Sequence, residues 1–208
     1  MRYIEADRLH ACNGFRRTGS ADFIRARVKL RTPSFLMLGM VRLGARSGYA
    51  IKKATDISTR SFWPTSLAQV YPELARLERE GLLDRRPDPH GARARSAYEI
   101  TQNGEAALLA WLRSSREAPT TFRDEGVLRL FFADALPFDD QLALVRRLRD
   151  RARTATAYMR GEILPVAEPL AEGGTRYPEV VARLGADMYA YAERWLGRLE
   201  SELERTAR

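Results

Sequence analysis

Cysteine, histidine and long apolar runs are scarce in this chain of 208 residues. The single cysteine, Cys12, excludes an internal disulfide framework, and with only two histidines the chain has too few ligands for a structural zinc site. No stretch approaches the roughly 18 to 20 apolar residues that cross a bilayer. The N-terminus shows no apolar secretory segment. We therefore expect a cytoplasmic protein with no membrane partner and no metal.

Signatures of catalysis are also missing. No glycine-rich phosphate loop follows a predicted strand, and no serine or cysteine nucleophile stands in a recognisable setting. Acidic residues are plentiful but fall on predicted helix surfaces. Asp139 and Asp140, for example, suit the N-terminus of a helix, where carboxylates complement the helix dipole. We predict that the protein is not an enzyme and uses no cofactor.

Positive charge is in excess, at net +8, and it is unevenly distributed. Residues 1–31 and residues 32–116 each carry net +5, whereas residues 117–208 carry net −2. This asymmetry indicates a polyanion-binding module joined to a module with another role, although a solvated basic surface gives the same balance. Residues 1–31 have few apolar residues and no period, which predicts a flexible basic extension. Val28 is a candidate alternative start of translation. In that case the extension before it results from a mis-assigned start.

Three helices are predicted after this extension. Thr32 can cap the first, with Pro33 at its first position, and the second spans about Tyr49 to Thr59. The third is the best marked, because Ser66 and Gln69 fit a capping box in which each side chain satisfies the other's backbone. Its apolar face recurs in steps of three and four residues and ends at a glycine suited to a left-handed C-cap. These positions are Leu67, Val70, Leu74, Leu77 and Gly81.

Beyond the third helix the apolar period changes to two. Residues 82–86 and 96–101 are predicted strands, and a fourth helix follows from Thr101 to about Arg113. The segment between the strands combines turn-forming residues with cationic ones and reads as a hairpin tip. Its cationic residues are His90, Arg93 and Arg95.

The remainder of the chain reads as helical. Helices are predicted at about 123–135, from 139 to 162 or somewhat beyond, and at 178–205, with Pro165 and Pro169 disturbing the end of the second. Apolar residues of the last helix form a seam that needs a partner surface. The seam consists of Val181, Leu184, Met188, Tyr191, Trp195 and Leu199. Pairing with a second copy is the economical solution, so residues 120–208 are predicted to form a dimerisation domain.

Three short helices followed by a two-stranded hairpin is the order of a winged helix-turn-helix. The predicted fold is therefore mainly α: a winged helix-turn-helix domain with a small two-stranded wing at 32–115, then a helical domain with long coiled-coil-like helices. A helix of this kind fits the major groove, and a cationic wing can reach phosphates or the minor groove. A dimer places two such modules roughly 34 Å apart, which matches a palindromic site.

Several sequence strings within residues 32–115 resemble the PadR family of bacterial transcriptional regulators. They are 48–51 (GYAI), 66–74 (SLAQVYPEL), 76–82 (RLEREGL) and 98–101 (YEIT), and the most specific stretch runs from Tyr71 to Leu82. The resemblance implies a homodimeric regulator, often a repressor, and for some members a response to small aromatic ligands. It also implies that Tyr71 and Tyr49 contact the DNA backbone.

Other DNA-contact candidates follow from their position, and each has a structural alternative. Lys52 and Lys53 lie in the module that would face DNA, but solvated charges are common. The third helix begins with Thr65, Ser66 and Gln69. A capping role is the structural alternative for Ser66 and Gln69. Arg76 is left open between a DNA contact and an ion pair on its own helix. The wing residues His90, Arg93 and Arg95 are the candidates for phosphate or minor-groove contact.

Two alternatives to this reading concern ligands and partners. Trp195, Tyr191 and Met188 could form an aromatic cage for a flat apolar effector, although dimer packing also explains them. The whole module could instead serve as a winged-helix protein-interaction or ligand-binding scaffold without specific DNA binding. The basic residues of the wing and of the second helix favour double-stranded DNA.

Overall fold

The computed structural model describes residues 30–88, 95–115 and 122–207, and the chain divides into two compact units at residues 118 and 119. The first unit contains α1 (Thr32–Arg42), α2 (Gly48–Ser58), α3 (Leu67–Arg79), β1 (Leu83–Asp88), β2 (Arg95–Ile100) and α4 (Gln102–Leu112). The second contains α5 (Glu125–Phe131), a 3-10 turn (Ala133–Ala135), α6 (Phe138–Tyr158), a π-helical turn (Met159–Ile163), α7 (Leu164–Glu172) and α8 (Tyr177–Thr206). This order confirms the predicted fold class.

The core of the first unit lies between α1, α2, α3 and the base of the wing. Its fully buried side chains include Leu38, Ile51, Leu74 and Leu77. Helix α1 begins at Thr32, one residue before its predicted first position at Pro33, because Arg31 rather than Thr32 occupies the N-cap position. Leu30 packs against this core, so the last two residues of the predicted extension belong to ordered structure. The rest of that extension lies outside the described residues.

Strands β1 and β2 form an antiparallel pair whose register runs from Leu83 opposite Ile100 to Asp88 opposite Arg95. Leu83 and Tyr98 point into the core. The base of this wing is fastened at two points: the amide of Tyr98 donates to the carbonyl of Arg46 at 2.7 Å, and the hydroxyl of Thr101 donates to the carbonyl of Gly81 at 2.8 Å. Gly81 has φ +67°, as a left-handed C-cap requires.

In the second unit, α6 and α8 pack as an antiparallel hairpin. Leu144, Val145 and Leu148 of α6 meet Leu196 of α8 in its core. Arginines of α6 and glutamates of α8 line the same interface in antiparallel order. The pairs are Arg146 with Glu200 and Glu204 (both 2.7 Å), Arg149 with Glu200 (2.8 Å) and Arg153 with Glu193 (2.9 Å). These ion pairs join the two helices along one side of the hairpin.

The sequence predicts that the long helix ends at residue 162 or somewhat beyond, and the structure continues it further. The chain stays helical through the π turn and α7 to Glu172, despite Pro165 and Pro169. Pro165 lies in the first turn of α7, directly after the π turn, where the hydrogen-bond pattern is already shifted and its missing N–H costs little. Among the described residues, no helix is both long and apolar enough to cross a membrane.

Candidate nucleic-acid interface

The N-terminal turn of α3 is exposed on the side opposite the core. Val70, Leu74 and Leu77 bury the other side completely, so Ser66 and Gln69 are held outward by the period of the helix. The backbone amide of Ser66 donates to Oε1 of Gln69 at 3.0 Å, which confirms the predicted capping box. Thr65 precedes the cap, and its hydroxyl donates to the carbonyl of Trp63 at 3.4 Å.

The capping box determines which side-chain atom of Gln69 is available to an outside partner. Because Oε1 already accepts hydrogen bonds from Ser66, the amide nitrogen of Gln69 is the group that can donate outward. A donor on an exposed helix suits the acceptors that guanine, adenine and thymine display in the major groove.

Tyr49 and Tyr71 are both exposed, at 67% and 51% of their surface. The ring of Tyr71 lies against Gly48, the first residue of α2, and a Cβ placed on that glycine would stand 2.5 Å from Cε1 of Tyr71. Ser47 caps the same helix end by accepting from the amide of Ala50 at 3.1 Å. Tyr71 therefore stands at the N-terminus of α2, where the helix dipole favours an anion such as a phosphate.

The contact between Gly48 and Tyr71 leads to a prediction. In Gly48→Ala the new methyl group displaces the Tyr71 ring, while the helix itself gains a better helix former. We expect affinity for DNA to fall by about threefold to tenfold and the salt dependence to lose about one phosphate contact. Fluorescence anisotropy over a salt series measures both. Gly39→Ala on α1 is the control, because a Cβ there meets nothing within 4 Å; equal losses in both variants would contradict the prediction.

Lys52 and Lys53 follow on α2. Lys52 is partly buried and pairs with Asp56 one turn later. Lys53 is exposed. The sequence reading considered both as part of a surface facing DNA and did not weigh Asp56 as a partner, although the i to i+4 spacing on one helix indicates it.

The structure pairs Arg76 with Glu73 inside the first unit. Nη2 of Arg76 lies 2.6 Å from Oε1 of Glu73 and also donates to the hydroxyl of Ser34 at 2.7 Å. Ser34 is fully buried and Glu73 nearly so. Burial raises the pKa of Glu73, but the hydrogen bonds from Arg76 and Ser34 and the charge of Arg76 together lower it below its usual value. Through the hydrogen bond from Arg76 to Ser34, this ion pair of α3 is linked to α1.

A pH-dependent stability follows from this pair. Because the folded pKa of Glu73 is lowered, its ionised form stabilises the fold at and above the usual glutamate pKa of about 4.3, and this is lost as pH falls through the folded pKa. We expect Glu73→Gln to lower the free energy of unfolding by about 1 to 2 kcal/mol at pH 7, with the difference vanishing toward pH 3. Urea titrations at several pH values measure it.

The control for this prediction is Glu105→Gln. Glu105 forms an ion pair with Arg42 at 2.7 Å in the same unit, but both side chains are more exposed. We expect that variant to change stability by less than about 0.5 kcal/mol at pH 7. A loss as large as that of Glu73→Gln would mean that burial does not set the energy of the pair.

The wing candidates are only partly covered by the structure. His90 and Arg93 lie outside the described residues, and Arg95 is the first residue of β2. Sequence reasoning weighed the hairpin tip and passed over Arg46 and the arginines of β1. Arg86 lies 3.3 Å and Arg46 3.8 Å from the carboxylate of Glu99, and Arg85 of the same strand is exposed. The signal was present in the consecutive arginines of the predicted first strand.

The seam predicted in the last helix is exposed over most of its length. Five of its residues leave 41% to 60% of their surface open within this chain: Val181, Leu184, Met188, Tyr191 and Trp195. The sixth, Leu199, packs instead against the α6–α8 core. The side of α8 that faces its own unit is buried through Ala182, Ala186 and Ala190. The helix therefore has one face inside the hairpin and a second, apolar face toward solvent.

These features define a winged helix-turn-helix protein with a helical C-terminal unit. Residues 37–110 match the family model described as "Transcriptional regulator PadR-like family", and residues 122–204 match "Virulence activator alpha C-term". The chain is thus similar to the PadR-like family of transcriptional regulators over its winged-helix unit.

Individual proteins show the same similarity. The negative transcriptional regulator PadR of Bacillus subtilis is 27% identical over 145 residues, which are 68% of this chain and 80% of that protein. The crystal structure of B. subtilis PadR in complex with operator DNA aligns with a TM-score of 0.75 at 23% identity, covering 83% of this chain and 99% of that one. The same protein in complex with p-coumaric acid aligns at 0.69 and 22%, covering 84% and 99%. At these identities the structural matches establish the fold.

Proposed function

We propose that this protein is a homodimeric, sequence-specific DNA-binding transcriptional regulator, and that residues 32–115 bind the operator. The observation that carries the proposal is the exposed N-terminal turn of α3, with Gln69 and Tyr71 held outward by a fully buried apolar face. In this arrangement α3 enters the major groove and the wing, with Arg93 and Arg95, contacts phosphates or the minor groove. Its fold neighbour from B. subtilis was crystallised with operator DNA.

The homodimer is supported by the exposed stripe on α8. Large apolar residues that repeat in steps of three and four are the pattern by which helices pair. In the single chain this stripe is exposed to solvent, as a surface that binds a partner would be. A two-fold dimer presents two copies of α3, which predicts a palindromic operator. Residues 120–208 are therefore proposed as the dimerisation domain, and the protein as cytoplasmic, where the chromosome lies.

Repression is the proposed sign of regulation. The curated relative is named a negative regulator. Binding that covers a promoter blocks polymerase without any further contact, so repression needs only the DNA-binding surface and the dimer.

A small aromatic effector is the proposed signal, by analogy with the neighbour crystallised with p-coumaric acid. Trp195, Tyr191 and Met188 remain the proposed ligand residues on this chain. An effector can act only by favouring one dimer geometry over another. Titration of tryptophan fluorescence with hydroxycinnamic acids tests this, and an unchanged signal would remove these three residues as the ligand site.

The decisive experiment is binding to labelled DNA from the protein's own promoter, compared with scrambled DNA, by anisotropy across a salt series. We expect a preference for the promoter that persists at physiological salt. Gln69→Ala should reduce that preference, whereas Gln102→Ala, an exposed glutamine at the start of α4, should not. Equal and steeply salt-dependent binding to both DNAs would leave only a basic surface and favour the interaction-module reading.

A further inference from the structure

Two opposite charges flank the exposed stripe of α8 on the same side. Asp187 directly precedes Met188 and Arg194 directly precedes Trp195, so the two lie one heptad apart on one flank of the stripe. Both side chains are exposed. Within the described residues neither makes an ion pair, in contrast to the arginines and glutamates that join α6 and α8.

The proposed dimer brings these flanks together if the two copies of α8 run antiparallel. In a two-fold antiparallel pair each flank faces the same flank of the other copy. The flank with Asp187 and Arg194 therefore lies along the partner flank that carries the same two residues. In a parallel pair this flank faces the opposite one, which carries the uncharged Gly185 and Ala192. Charged flanking residues set orientation and register in paired helices, and antiparallel pairing is the orientation that uses them.

Three antiparallel registers, one heptad apart, keep the stripe in contact, and the flanking charges distinguish them. In the middle register Met188 packs on the partner's Tyr191 and Leu184 on the partner's Trp195. Asp187 of each copy faces Arg194 of the other copy, so two such pairs form. A shift of one heptad in one direction places Asp187 against the partner's Asp187. A shift in the other direction places Arg194 against the partner's Arg194. Like charges in contact disfavour both shifts.

Apolar packing does not reverse this order. The register that opposes the two aspartates adds a layer between Tyr177 and the partner's Trp195, but it leaves Arg194 beside the partner's Val180. In the middle register Val181 lies opposite the partner's Arg198. The aliphatic part of an arginine covers an apolar neighbour while its guanidinium stays in water, so Val181 is still shielded.

We propose that Asp187 and Arg194 form a reciprocal pair of ion pairs across the two-fold axis and thereby fix the antiparallel register of the α8–α8 interface. The partner is a second copy of this chain, and the inference rests on the proposed homodimer. A slip of one heptad moves the partner by about 10 Å along the helix. That is a large fraction of the roughly 34 Å between operator half-sites, so the pair also sets which operator spacing the dimer accepts.

The test mixes the wild-type chain with the charge-swapped chain D187R/R194D. In the proposed register each homodimer keeps two opposite-charge pairs, whereas a mixed dimer has one Arg–Arg and one Asp–Asp contact. In either shifted register the mixed dimer instead gains opposite charges at the axis. The two chains carry different mass tags, are unfolded and refolded together at low salt, and are analysed by native mass spectrometry.

We expect self-sorting, with mixed dimers about tenfold below the statistical half at low salt and closer to it in 1 M salt. Mixed dimers at or above half would overturn the proposal, because the charges would then be inert or placed by another register. The single variants D187N and R194Q add a check: each should weaken the dimer, whereas relief of a like-charge contact would strengthen it. A wild-type chain that is monomeric would instead refute the proposed homodimer, which separates the two failures.

Discussion

Leu184→Asp is expected to convert the protein to a folded monomer. Leu184 lies within the exposed α8 stripe, and 58% of its surface is open. The change therefore costs little in the isolated chain. In a two-fold interface it buries two unpaired carboxylates, at about 2 kcal/mol or more each, which weakens the dimer by about 10³-fold. Sedimentation velocity measures the association, and anisotropy should show a parallel loss of operator binding.

Leu128→Asp is the matched control. Leu128 lies on α5 in the same unit and is equally exposed, at 57%. It should leave the dimer intact, because it lies outside the α8 stripe. A dimer that survives Leu184→Asp and dissociates in Leu128→Asp would place the interface on α5 instead. Circular dichroism at 222 nm should be unchanged in both variants, since neither side chain contributes to a core.

Gly104→Ala is expected to cause the largest loss of stability in the first unit. Gly104 lies in the first turn of α4, and its amide donates to the hydroxyl of Thr101 at 3.0 Å. A Cβ there would overlap the backbone carbonyl of Leu82 and stand 2.9 Å from Cγ1 of Ile100. Backbone cannot rotate away as a side chain can, so we expect a loss of about 3 kcal/mol. Calorimetric or urea unfolding of the full chain measures it.

The same change should also impair DNA binding by displacing the base of the wing. Leu82 and Thr101 connect α3 to β1 and β2 to α4, so a shift at Gly104 moves both strands together. Gly39→Ala, which meets no neighbour, should instead raise stability by about 0.5 to 1 kcal/mol. If Gly104→Ala were as stable as Gly39→Ala, the close approach of α4 to the wing would be refuted.

The local parts of this fold were predictable from the sequence because local chemistry determines them. The capping box of Ser66 and Gln69, the glycine at 81 and the change of period into the wing each depend on neighbours within four residues. The exposed stripe of α8 was equally predictable, since its spacing alone places it on one side of the helix.

The parts that were missed depend on distant contacts. Arg76 could not be assigned because Ser34, its second partner, lies 42 residues away in the sequence. Leu199 continues the spacing of the α8 stripe, yet it packs against the core that α6 and α8 share. Helix continuity through Pro165 depends on a π turn, for which no reliable sequence pattern exists.

The two faces of α8 also bear on how such regulators diversify. One face holds small alanines and acidic residues against α6, and the other carries the bulky apolar stripe. After gene duplication, substitutions on the outer face can change which copies associate while the hairpin keeps its inner contacts. A few changes on this one surface are thus enough to stop paralogues in one cell from forming mixed dimers. Each intermediate variant stays folded, because the inner contacts are unchanged.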